Sequence, residues 1–320
     1  MGLFGGNYNK YRPDYTTDML PKNRFELFWE MLKLNLFNLV KANLMYLMFC
    51  VPFWINLILH LTIFIRDYSE KPEAFVSDGY LFLFLIFTAV TFLISSPAKA
   101  ALKYVTRNYS RDDHVWLWSD FFAAIRVNFR QALGMGVLNG IALVLFAVGA
   151  NFYSNMAGQS GSIVYLIALF MLLMTALVYL MLNIYVWPMM VTYELSFREL
   201  LKNSFVLAVG RLPLSIVFGL LQILPAIISV FFLPAMLWYL LIGYSFASFL
   251  GCSYTNAAFD RYFNPRIEGA EIGKGMQKPD EDDEEEEKPE KPASAFDLVF
   301  GNRKKKKNEV LEDLDPDEDE

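Results

Sequence analysis

Six stretches of about twenty apolar residues constrain this chain more than anything else in it, because that length lets a helix cross a hydrocarbon layer. They lie at 44–65, 81–102, 132–153, 163–192, 214–233 and 235–254. The second carries Lys99 in its last turn, where a lysine is expected to snorkel to the interface. The fifth and sixth are separated by little more than Pro234, which implies a tight hairpin or one broken helix.

Charge is sparse and unevenly placed. Only 19% of the 320 residues are charged, against roughly 25% in soluble domains. Residues 271–320 hold 19 acidic and 9 basic residues, so the rest of the chain is mildly basic. Cys50 and Cys252 sit inside apolar runs as small hydrophobes, and with only His60 and His114 available no zinc site is expected. The first 24 residues lack an apolar core segment, so no cleavable signal is expected. Gly6 stands where a myristoylation signal has Ser or Thr.

Basic residues orient the spans. Residues 1–43 carry six, 99–130 six, 198–211 three and 254–320 eleven. The loop at 66–80 has two against four acids, and the stretch 151–161 has no charge. Six spans with both termini in the cytoplasm satisfy every loop.

A motif recurs before each pair of spans: RFELFWEMLKLNLFNLV (24–40), DFFAAIRVNFRQALG (120–134) and SFRELLKNSFVLAVG (196–210). Aligned on Lys33, Arg126 and Lys202, each has a nearby asparagine (Asn35, Asn128, Asn203) and an apolar residue three on (Leu36, Phe129, Phe205). Asn23-x-x-Glu26 and Ser196-x-x-Glu199 resemble capping boxes. In the second copy Phe122, Ile125, Phe129 and Leu133 share one face, while Arg126 and Arg130 face away. The chain therefore reads as three repeats, each an amphipathic helix followed by a transmembrane hairpin. Lys33, Asn35, Arg126, Asn128, Phe129, Arg130, Arg198, Lys202 and Asn203 are candidate partner-facing residues.

No charged residue falls near the middle of these spans, which argues against an ion-coupled carrier. The polar residues within them are Asn56, His60, Asn139, Asn183 and Gln222. Amides there either bind a neutral solute or hydrogen-bond helices together. Gly136-x-x-x-Gly140 and Ala247-x-x-x-Gly251 are small-residue pairs that permit close helix approach. Metalloprotease, hydrolase and Walker signatures are absent, and no cofactor or nucleic-acid motif is found.

From Glu268 onward the composition changes, and 278–292 has no core-forming residue, so a disordered tail is expected over 263–320. Within it, FDLVFGNRKKKK joins Phe296 and Phe300 to Arg303, Lys304, Lys305, Lys306 and Lys307. Such a segment suits anionic lipid at the inner leaflet, or a partner.

The sequence resembles the YesL family of bacterial membrane proteins. The resemblance is carried by GLFGGNYNKYRP, FELFWEMLKLNLFNLVKANLMYLMFCVPF, the stretch from Pro97 through Phe121-Phe122 and Arg126-x-Asn128-Phe129, and YVWPMMVTYELSFRELLKNSFVLA around Pro188. It covers about residues 1–260. It implies a bacterial cell-membrane location, no established activity, and ABC transporter subunits of carbohydrate uptake as partners. The expectation is an all-α integral membrane protein: an N-terminal segment 1–22, a six-helix domain 23–262 in three repeats, and a charged tail 263–320. A non-enzymatic accessory or scaffold role leads, with a facilitator or carrier for a small neutral solute as the alternative. Oligomeric state is left open.

Overall fold

The computed structural model describes residues 20–70, 78–267 and 269–277, which are predominantly helical with no strand among them. Helix α1 (Arg24–Glu70) is one rod of 47 residues, about 70 Å at the usual helical rise. It is followed by α2 (Asp78–Tyr109), α3 (Leu117–Ser160), α4 (Ile163–Met190), α5 (Phe197–Gly210), α6 (Leu212–Phe231), α7 (Leu233–Trp238) and α8 (Tyr244–Tyr262). Six stretches are long and apolar enough to cross a membrane, the last made of α7, a π-turn at Tyr239–Gly243, and α8. These mark a multi-pass membrane protein. The tail motif from Phe296 to Lys307 lies outside the described residues.

The three amphipathic segments are present, and two of them fuse with the span that follows. No proline lies between Lys33 and Leu44 or between Arg126 and Met135, so α1 and α3 run straight on. In the third copy Gly210 and Pro213 flank Arg211, and α5 ends where α6 begins. Both starts identified in the sequence are capped. Asn23 Oδ1 accepts from Glu26 N at 2.9 Å, and Ser196 with Glu199 closes a full capping box. Between α6 and α7 the chain reverses at Phe232 in extended conformation, with Pro234 in the first turn of α7.

Burial reveals the repeat more sharply than residue identity does. Two positions before Lys33, Arg126 and Lys202 stand Met31, Ala124 and Leu200, all buried. Six positions after stand Leu39, Ala132 and Ala208, each 0% exposed. Three positions after, Leu36, Phe129 and Phe205 are 43%, 46% and 50% exposed. This corrects the face expected for the second copy: Phe121, Ala124, Ala132 and Met135 pack inward, and Phe129 points out. In lipid a phenylalanine faces outward without penalty, whereas alanine and glycine permit close helix approach.

α2 is the central rod. Gly136 and Gly140 of α3 both press on it: a Cβ at Gly136 would lie 2.6 Å from Ser96 Oγ, and one at Gly140 3.0 Å from Ala89 Cβ. α1 runs antiparallel to α2, joined by Asn56 Nδ2 donating to Thr88 Oγ1 at 3.0 Å. α8 lies parallel to α2, joined by Thr106 with Ser248 at 2.7 Å and Asn256 with Ser110 at 2.8 Å. The buried core gathers at the end of the bundle where α2 and α8 finish. There one cluster joins α1, α2, α3 and α8, and a second joins α2–α6 and α8. At the same end Arg24 pairs with Asp260, and Lys274 bridges Asp113 and Glu271 at 2.7 Å each. Those two carboxylates hold the Lys274 ammonium above its ordinary range.

The π-turn frees backbone groups that lipid could not satisfy. Asn43 of α1, fully buried, bridges them: its Nδ2 donates to Leu240 O at 2.8 Å and its Oδ1 accepts from Ser245 N at 2.9 Å. Gly243 is required beside it, since a Cβ there would fall 2.1 Å from the Tyr239 ring.

Replacing Gly136 by Val should cost about 1–3 kcal/mol by overpacking. Ala at Gly158, which has open space around its Cβ, should be neutral or stabilising by up to about 1 kcal/mol. Unfolding midpoints in a neutral detergent compare the pair. Asn43→Leu strands two buried backbone groups and should lower stability by about 1–3 kcal/mol for each, in the same assay.

Candidate functional site

Four spans and the residue after the π-turn line an open-sided cavity of about 550 Å³. α1 contributes Tyr46, Cys50 and Phe53 to it, and α2 contributes Phe92, Ser95, Ser96 and Lys99. α3 adds Asn139 and apolar residues through Ala147, and α4 adds Tyr179 and Asn183. Tyr244, edge-on to Tyr46 at 5.4 Å between centroids, lines the remaining side.

Lys99 departs most from expectation. α2 continues past it to Tyr109, so Lys99 does not stand in the last turn of the helix. It lines the cavity instead, with Nζ 4.6 Å from the centre of the fully buried Trp187 ring. Among the described residues it makes no hydrogen bond and has no carboxylate within ion-pairing distance. Its ionisable neighbours are Lys103, one turn further on and buried, and Cys50. The bundle therefore places two lysine side chains among its spans, one of them facing the cavity.

The five polar residues expected inside the spans separate into three groups. Asn139 and Asn183 come together at the cavity through Tyr179. The Tyr179 hydroxyl donates to Asn139 Oδ1 at 2.7 Å, and Asn183 Nδ2 donates to the Tyr179 carbonyl at 3.1 Å. Asn183 Oδ1 accepts from Trp187 Nε1 at 3.1 Å, which fixes the ring that faces Lys99. The Asn139 amide nitrogen has no partner among the described residues. Asn56 and His60 lie apart, near the far end of α1. There Asn56 joins α1 to α2, and His60 packs among Tyr80, Phe84 and Phe87. Gln222 is elsewhere again: its side-chain oxygen fills the space a Cβ at Gly251 would need, beside Lys103 Nζ.

The outward candidates stay outward. Lys33, Arg126, Arg130, Arg198 and Lys202 are exposed, and Asn35 and Asn128 each donate to the carbonyl four residues earlier on their own helix. Asn203 is buried, one position out of register with the other two. Arg126, Asn128, Phe129 and Arg130 border a second, more polar hollow that also contains Tyr193 and Glu194.

Sequence reasoning missed Lys99, Tyr179 and Asn43 as organising residues. The available signal was the row Lys99, Lys103 and Arg107, three cations on one helical face of an otherwise apolar span.

Residues 79–150 match a family model described as "Protein of unknown function, DUF624". That segment is α2, its connection and most of α3, which supply Lys99 and Asn139 to the cavity. No curated protein and no solved structure matches the chain.

Lys99→Met removes an ammonium that lacks a countercharge and gives up only its contact with Trp187. The ligand-free variant should therefore melt no lower than the wild type. A fall of several degrees in differential scanning fluorimetry would mean that Lys99 is structurally satisfied as it stands.

Proposed function

We propose that this chain is a non-enzymatic membrane protein that binds a small molecule within its spans, as a facilitator, carrier or receptor. The cavity at Lys99 carries this reading. Its volume falls within the range of about 300–1,000 Å³ usual for small-molecule sites, and its walls are apolar with a few convergent polar groups. Two of the four amides expected to read a solute, Asn139 and Asn183, line it. Of the other two, Asn56 joins α1 to α2, and Gln222 donates to Phe218 of its own helix and packs against Gly251 of α8. Both termini lie on the cytoplasmic side in this reading. In support, Arg24, Arg107, Arg126, Arg198, Arg211 and Arg261 belong to the same end of the bundle.

A second role, as an accessory or scaffold, draws support from the repeat. Exposed cations at Lys33, Arg126 and Lys202, each followed by an outward apolar residue, make three similar outer patches. An association with carbohydrate uptake rests on the family resemblance alone.

Filling the cavity tests the first reading. Ala176→Phe should abolish stabilisation by small molecules that co-purify with the protein while leaving the ligand-free midpoint within a few degrees. Charge reversal at Arg126 and Arg130 should leave that stabilisation intact. If instead the reversal removes co-purifying proteins, and the filled cavity changes nothing, the accessory role is the correct one.

A further inference from the structure

We infer that the cavity takes an anionic head group carried on an apolar chain, with Lys99 and Asn139 as its recognition pair. The inference rests on the binding role above and adds the chemical class of the ligand. Hydrogen-bond donors are in surplus on the polar side of the cavity. Lys99 Nζ and Asn139 Nδ2 have no acceptor among the described residues. The amide oxygens of Asn139 and Asn183 already accept from Tyr179 and Trp187. The Ser95 and Ser96 hydroxyls donate to the Phe92 carbonyl. An ammonium that lines a largely apolar cavity, with no carboxylate beside it among the described residues, needs a countercharge. The bundle does supply one elsewhere: Arg24 has Asp260, and Lys274 has Asp113 and Glu271.

The remaining walls select the rest of the ligand. Phe53, Phe92, Leu143 and Phe146 offer nothing to a polar solute. Leu180, which also lines the cavity, is 54% exposed on the outer face of α4, so the apolar side reaches the lipid-facing surface. An amphiphile can enter there from the bilayer, with its head against Lys99 and its chain along the aromatics. A neutral sugar-like solute would leave the ammonium uncompensated and lie against aromatic walls. Carboxylate and phosphate heads share the required chemistry, the first from a free fatty acid and the second from an anionic lipid.

The test uses the full chain in nanodiscs of zwitterionic lipid, with four probes sharing one tail: dodecanoate, dodecyl phosphate, dodecanol and dodecyltrimethylammonium. Thermal midpoints and binding by isothermal calorimetry are read for the wild type, Lys99→Met, Lys99→Arg and Ala176→Phe. One or both anionic probes should raise the midpoint, and the stronger of the two identifies the source. The alcohol and the cation should not. Lys99→Met should weaken anion binding at least about tenfold, Lys99→Arg should retain it, and Ala176→Phe should remove it. If dodecanol stabilises as well as dodecanoate, and Ala176→Phe abolishes both effects, the cavity binds ligands but the anionic assignment is wrong. Anion binding that survives Lys99→Met overturns the assignment in the same way. If no probe acts through a site sensitive to Ala176→Phe, the binding role itself fails.

Discussion

In hydrocarbon every backbone N–H and C=O must find its partner within the chain, and most of this architecture follows from that requirement. The spans run through Pro52, Pro97, Pro188 and Pro225 without ending, because a broken helix at mid-depth would strand more groups than one missing N–H does. Departures from regular helix occur where a partner stands ready. The π-turn at Tyr239–Gly243 is paired by the side chain of Asn43, a donor and an acceptor in a single group. That arrangement also carries Tyr244 into the wall of the cavity, so the repair of a backbone irregularity shapes the candidate site.

The same requirement applies to charged side chains, and the chain meets it in different ways at different depths. At the end where α2 and α8 finish, arginines use what is near. Arg107 donates to the Val191 carbonyl at 3.0 Å, and Arg211 lies 5.0 Å from the centre of the Tyr254 ring. Deeper in, Lys103 shares the surroundings of Gln222 Oε1 at Gly251. Among the described residues Lys99 has only the face of Trp187, a weaker substitute for a counter-ion. Neither lysine of α2 has a carboxylate or a hydrogen-bond acceptor among the described residues, and Lys99 is the one that borders the cavity.

What the sequence made legible was length and composition: six spans, three recurring amphipathic segments, and the caps at Asn23 and Ser196. Which face of each helix would be buried was not legible. Periodicity of apolar residues separates core from water, but in lipid both faces of a span are apolar, so Phe129 and Ala132 carry the same signal while only Ala132 packs. The role of Lys99 was obscured for a related reason. A lysine near the end of an apolar run reads as an interfacial anchor until it is known that the helix continues, and here the continued part makes polar pairs with α8, a helix more than 130 residues away in sequence. The amides were legible as a class, but their division between binding and packing was not, because it turns on which helix each one meets.

That division of labour explains why there is a cavity at all. α2 and α3 are drawn together by Gly136, Gly140 and Ala89, leaving no room between them. α1 is held at two places: Asn43 fastens it to the π-turn, and Asn56 fastens it to Thr88 further along. Between these tethers lie Tyr46, Cys50 and Phe53, which line the cavity. Small residues would have let α1 close on α2 and α3 there, but two aromatic side chains keep it at a distance. Two amides outside the cavity thus set the span over which it can exist, and a third, Asn139, lies within it with its nitrogen unpaired. A fold that needed polar residues only to hold helices together would place them where helices touch. Asn139 joins α3 to α4 through the Tyr179 hydroxyl and still turns its nitrogen to the cavity, and Lys99 is placed where helices are kept apart.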